Sequence, residues 1–274
     1  LHLSIRRQRQ MCIRDRFMPL LSSKYLLLAV ASCLLTATGS AHANFSFFRK
    51  SFNVEELIQE KQRNFKTAKR DMHVIFTHLK SPKTIYCGCD IKFTKHYYYP
   101  DLESCGYQNR SPRNLNRAHR IEAEHIMPAW EFGKDQSCWT KHHGRQNCEN
   151  TSDRFNMMES DLHNLYPAVG EINGDRSNYA FSDAVRNAPS YGLCDMKIDR
   201  KRQRVTPPER SRGLIARAYL YMSETYSVPL DEEHKNLFNR WNKMYKPDKN
   251  ECLRNELIGK VQGNLNHFVT EKCK

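Results

Sequence analysis

Arg120-Ile-Glu-Ala-Glu-His-Ile-Met-Pro-Ala-Trp-Glu-Phe-Gly133 and Asp161-Leu-His-Asn-Leu-Tyr-Pro-Ala-Val-Gly-Glu-Ile-Asn-Gly-Asp-Arg-Ser-Asn178 decide how this chain is read. In the first stretch Glu122 and Glu124 alternate with Ile121 and Ala123, as in a half-exposed strand that turns at Pro128. A carboxylate beside an imidazole offers a hard oxygen ligand for a cation such as Mg²⁺ and a base that titrates near neutral pH. Glu124 and His125 are therefore the first candidates for chemistry, although the dipeptide alone is ordinary. Successive strand side chains point to opposite faces, so both can serve one site only at a strand end or a bend. In the second stretch polar groups are denser than core packing needs, and Asn164 supplies a neutral carbonyl oxygen suited to a hard cation.

Outward from these stretches the chain reads as one domain without internal repeats or low-complexity linkers. Asn53 and Glu56 look like a capping box, and the apolar spacing after them predicts a helix over 54–79. The β-branched and aromatic run 84–93 reads as strand or extended chain, and 94–119, rich in Pro, Gly and Asn, reads as loop. Three helices are expected near the C-terminus: 209–226, one capped by Asp231 and stopped by Pro247, and one over 251–261 ending at Gly263.

The first 43 residues do not read as part of a fold. Met18 opens a signal-peptide pattern that runs to an A-x-A site at Ala41-His42-Ala43, with an apolar stretch too short for a membrane span. Residues 1–17 precede it and are read as non-native or a mis-called leader. The mature domain then covers 44–274. Removing 1–43 takes away six basic residues and one acidic one, which lowers the net charge from +14 to +9. Such a surplus points to an anionic partner, a nucleic acid or a membrane surface. Eight of the ten cysteines remain: Cys87, Cys89, Cys105, Cys138, Cys148, Cys194, Cys252 and Cys273. In an exported chain an even count reads as four disulfides, and zinc is disfavoured because the closest spacing, Cys87-Gly-Cys89, is not a C-x-x-C pair. Pairing stays open, except that Cys87 and Cys89 are too close to bond each other and that Cys252 and Cys273 should tie the tail to the body.

The two opening stretches, in this order and with Trp139, Gly144-Arg145-x-Asn147-Cys148 and the eight cysteines, resemble the bacterial endonuclease I family of periplasmic or secreted nucleases. The resemblance implies an α+β fold with a ββα-metal nuclease core in a helix-rich single domain. It implies that His125 is the general base, that Glu124 and Asn164 hold one Mg²⁺ (with Mn²⁺ as the other possible ion), and that Arg145 clamps the cleaved phosphate. It further implies a monomer that hydrolyses DNA and RNA with little sequence preference, leaves 5′-phosphate ends, and works in the periplasm or outside the cell without a membrane partner once the signal is removed. The family has a tryptophan where this chain has Ala123, a change expected to point away from the catalytic face and to affect packing. The rival of another class is a non-catalytic exported nucleic-acid-binding protein of DNA uptake. A metallopeptidase is disfavoured by the absence of H-E-x-x-H.

Overall fold

Polar caps set where the helices begin. In the computed structural model, which describes residues 64–95, 97–140 and 144–273, helix α1 covers Phe65–Thr77, because Asn64 is extended and its side chain accepts the Thr67 N–H in a capping box. The expected helix over 54–79 is therefore interrupted at Asn64. Its first part, the Asn53–Glu56 box and the leader lie outside the described residues. Residues 84–89 form a tight turn rather than a strand: Thr84 N–H bonds to the Cys89 carbonyl, and Gly88 has φ +71°. Strand β1 is only Asp90–Phe93. It pairs antiparallel with β2, Tyr98–Asp101, inside the segment expected to be loop. That segment also carries the short helix α2, Leu115–Ala118.

Strand β3, Ile121–His125, pairs antiparallel with β4, Leu165–Val169, across a long connection. The connection holds four short helices: α3 (Ala129–Gly133), α4 (Ser137–Thr140), α5 (Arg145–Thr151) and α6 (Asp153–Glu159). Helix α7, Gly170–Arg176, follows β4 directly, which completes a ββα unit. A three-stranded sheet in the order β5-β7-β6 comes next, from Ala180–Phe181, Arg204–Thr206 and Lys197–Asp199. The C-terminal helices are α8 (Glu209–Tyr226), α9 (Glu232–Met244), α10 (Lys249–Gln262) and α11 (His267–Thr270). The first three match expectation, except that α10 starts two residues early because Asp248 accepts the Glu251 N–H as its cap.

The fold is α+β within one compact unit that spans 50–274. Two apolar clusters carry it. One packs α1, β1 and α10 around Phe76, Leu165 and Ile258; the larger joins α8 and α9 to the rest through Tyr219, Phe238 and Trp241. The end of the β3–β4 pair lies between them, with Leu165 in the first and Ile126 and Met127 in the second. All eight cysteines are bonded: Cys87–Cys194, Cys89–Cys105, Cys138–Cys148 and Cys252–Cys273. The last pair ties the tail to α10, as expected. Among the described residues no helix is long and apolar enough to cross a membrane.

Candidate active site

Glu122 and Glu124 share the face of β3 that looks at α7, and α7 grips them one turn apart. Asn173 Nδ2 donates to Glu122 Oε2 at 2.7 Å, and Arg176 Nη1 donates to Glu124 Oε1 at 3.0 Å. The spacing i, i+3 on a helix thus reads i, i+2 on a strand. Arg176 also donates to the carbonyls of His125 and Ile126, at 2.9 and 2.8 Å, so one buried guanidinium fixes the carboxylate and the end of the strand together. Tyr86 adds its hydroxyl to the same Oε1 of Glu124 at 2.5 Å. Oε2 of Glu124 accepts no hydrogen bond from the described residues. Burial pushes this carboxyl up to about 7, against the lowering pull of Arg176 and Tyr86.

His125 points to the opposite face, as strand alternation requires. Its Nε2 lies 2.8 Å from the carbonyl of Glu159, an acceptor, so Nε2 carries the proton and Nδ1 keeps its lone pair. The Phe65 ring sits 4.7 Å away. Burial, aided by the charges of Arg145, Arg176 and Lys69, lowers the imidazole to about 3, so it stays neutral at physiological pH. Strand β3 remains paired through His125↔Leu165 and does not bend at the pair. Glu124 and His125 meet one cavity because it wraps around the strand's end. Ala123 lines that cavity on the His125 side, which corrects the expectation that it points away from the catalytic face: residues 121, 123 and 125 share one side of a strand.

The cavity, about 890 Å³, is lined by Glu124, His125, Arg145 and Asn173 among others. Arg145, the first residue of α5, donates through Nε to Glu159 at 2.6 Å and Glu149 at 3.0 Å, and its terminal nitrogens donate to none of the described residues. Glu159 is 1% exposed, so its carboxylate holds Arg145 while its carbonyl holds His125. Burial raises that carboxyl to about 7, while Arg145 opposes the rise. The loop 141–143 beside Arg145 lies outside the described residues.

Asn164 is not brought to the cavity. It is fully buried, its Oδ1 accepts the Met127 N–H at 2.7 Å, and its Nδ2 donates to the Met127 carbonyl at 2.9 Å. Each amide atom thus makes one hydrogen bond that closes the chain after β3. His163, beside it, is buried and bonds the Asn264 carbonyl. Two asparagines line the cavity, Asn173 and Asn178; Asn173 is half-buried and its Oδ1 accepts nothing from the described residues. Sequence reading passed over Asn173 and Arg176 although both lie in the quoted second stretch.

Among the described residues no group of three or more His, Cys, Asp or Glu side chains converges as a metal cage. Glu124 and Asn173, on neighbouring elements, both line the cavity, and each keeps a side-chain oxygen that accepts nothing from the described residues. That set fits a hard divalent ion that keeps most of its waters.

Comparison with known proteins identifies the relatives of the chain. Residues 61–273 match the family described as Endonuclease I. A periplasmic deoxyribonuclease of Aeromonas hydrophila is 49% identical over 217 residues, covering 79% of this chain and 89% of the relative. An endonuclease-1 of Buchnera aphidicola subsp. Acyrthosiphon pisum is 44% identical over 229 residues, covering 84% and 88%. An extracellular deoxyribonuclease of Aeromonas hydrophila is 47% identical over 211 residues, covering 77% and 89%.

Proposed function

The chain belongs to the endonuclease I family, and from that premise we propose that it is an exported, monomeric, metal-dependent endonuclease that hydrolyses DNA and RNA backbones with little sequence preference and leaves 5′-phosphate ends. The observation that carries the reading is a neutral imidazole, fixed through Nε2 and lining a cavity together with a half-liganded carboxylate and an arginine.

Phosphodiester hydrolysis needs a proton removed from water and charge neutralised on the phosphorus oxygens. His125 Nδ1 takes the water's proton, and the Glu159 carbonyl favours the imidazolium that results. Arg145, held at Nε, presents its terminal nitrogens to two phosphate oxygens. Glu124 Oε2 and Asn173 Oδ1 would hold the divalent ion, Mg²⁺ by abundance with Mn²⁺ as a substitute; Asn164 is left to a structural role. When bound, that ion supplies Lewis-acid stabilisation of the phosphate and the departing 3′-oxygen. Arg176 and Tyr86 keep Glu124 aimed from the other oxygen. Among the described residues six cationic side chains line the cavity against two carboxylates, so binding is mainly to phosphate and carries little sequence information. Export is supported by four disulfides, which persist in oxidising compartments, and by relatives named periplasmic and extracellular.

Plasmid nicking by the oxidised mature protein with Mg²⁺ tests this, comparing wild type with His125→Ala. We expect nicks from wild type only. Intact plasmid with both proteins, together with retained DNA binding, would favour the non-catalytic uptake protein instead.

A further inference from the structure

Of the six cations that line the cavity, five are paired with carboxylates: Arg70 with Asp71, Arg117 and Arg120 with Glu122, Arg145 with Glu159, and Arg176 with Glu124. Lys69 is the exception. Among the described residues its ammonium meets no carboxylate and lies only over the Phe65 ring, 4.6 Å from the centroid. Phe65 and Lys69 are four residues apart on α1 and so share a helix face. The same ring carries the Arg145 guanidinium at 5.1 Å and lies 4.7 Å from the imidazole of His125. Two cations therefore flank one aromatic ring beside the general base, and only one of them has a counter-charge.

Helix charge makes this arrangement more unusual. The first turn of α1 contains no acidic residue but does contain Lys66, at the end of a 13-residue helix whose dipole is already positive, and Lys69 and Arg70 follow in the second turn. Sequences ordinarily place Asp or Glu at that position. A bound anion would give the unpaired ammonium its counter-charge. We propose that Lys69, braced on Phe65, is a second phosphate-binding position, which takes the backbone phosphate next to the scissile one on the His125 side. The inference rests on the nuclease reading above, and it assigns to the substrate strand a direction across the cavity, from Asn173 past His125 to α1.

The test is binding of a short fluorescein-labelled DNA duplex in EDTA, read by anisotropy over a salt series, so that cleavage plays no part. Each neutralised phosphate contributes a slope of about −0.9 in log affinity against log salt. Lys69→Gln should make the slope shallower by about 0.9, while Lys69→Arg should keep it. Lys80→Gln removes the same charge from an exposed position outside the cavity and should leave the slope as in wild type. Equal slopes for wild type and Lys69→Gln would overturn the assignment, as would an equal flattening by Lys80→Gln. If wild type nicks plasmid with Mg²⁺ and only the slope prediction fails, the Lys69 assignment falls alone. If wild type neither binds nor nicks, the nuclease reading falls with it.

Discussion

Asn164 and Asn173 stand nine positions apart in one polar stretch, and the function proposed above gives them separable duties. Asn164→Ala would strip the partners from the N–H and the carbonyl of Met127, a residue with no solvent exposure. A buried polar group left unsatisfied costs about 1–3 kcal/mol, so the two together cost about 4 kcal/mol. With a urea m-value of about 2–3 kcal/mol/M for a domain of this size, the midpoint should fall by about 1.5 M. Asn173→Ala removes one hydrogen bond, to a Glu122 that keeps both Arg117 and Arg120, at a half-buried helix position. It should cost roughly 1 kcal/mol or less, and alanine's better helix propensity offsets part of that. Activity should sort the other way. Asn173→Ala should raise the Mg²⁺ concentration for half-maximal nicking at least tenfold, since even partners of metal ligands cost 10–100-fold. The Asn164 variant, assayed well below its own unfolding midpoint, should keep the wild-type Mg²⁺ requirement. Urea melts followed by fluorescence and nicking titrated with Mg²⁺ measure the two axes independently. An Asn164→Ala protein with an unchanged midpoint and a raised Mg²⁺ requirement would refute the division, and would return the ligand role to Asn164.

Three further outcomes follow from the same contacts. Arg176→Met leaves the Glu124 carboxylate buried without its cation, which should cost about 3–5 kcal/mol in a urea melt; adding Glu124→Gln should recover stability but not nicking. His163 is held near pKa 4 by burial, below its ordinary 6.5. Between these values the unfolded chain binds a proton that the folded chain does not, so stability falls as pH falls from 6.5 towards 4. His163→Gln should reduce the slope of stability against pH by about 1.4 kcal/mol per pH unit in that window, and equal slopes for wild type and variant would mean that His163 charges in the folded state. EDTA should stop nicking at once and excess Mg²⁺ restore it, whereas a reductant should act slowly, because Cys89 and Cys148 are fully buried and the Cys87–Cys194 bond closes a 107-residue separation; reduction that stopped nicking as fast as EDTA would show the bonds to be open to solvent.

The strand at Glu122–His125, the three C-terminal helices and the disulfide count were legible because each rests on local signals: a period of two, a period of 3.6 between caps, and an even number of cysteines in an exported chain. The missed helix α7 shows where local signals stop. Gly170 and Gly174 weaken its propensity, so in 161–178 only the density of polar groups stands out, and neither strand nor helix is read there. Contacts from elsewhere in the chain leave no room for a side chain at Gly170, and leave room at Gly174 only if the Arg117 guanidinium moves. A Cβ at Gly170 would come within 2.5 Å of the Arg117 carbonyl, and one at Gly174 within 2.0 Å of its guanidinium. Their absence lets Arg117 lie along α7 and close on Glu122 through two hydrogen bonds, at 2.9 and 2.7 Å. That closure in turn leaves Asn173 beside a carboxylate already neutralised by two arginines, with its amide oxygen unspent. The residues that hide the helix from a reading of propensity are thus the ones that let it approach β3 closely. Without α7 the spacing of Asn173 and Arg176 has nothing to match, and Asn164, which in the structure bonds both backbone groups of Met127, is the neutral oxygen ligand that the sequence puts forward.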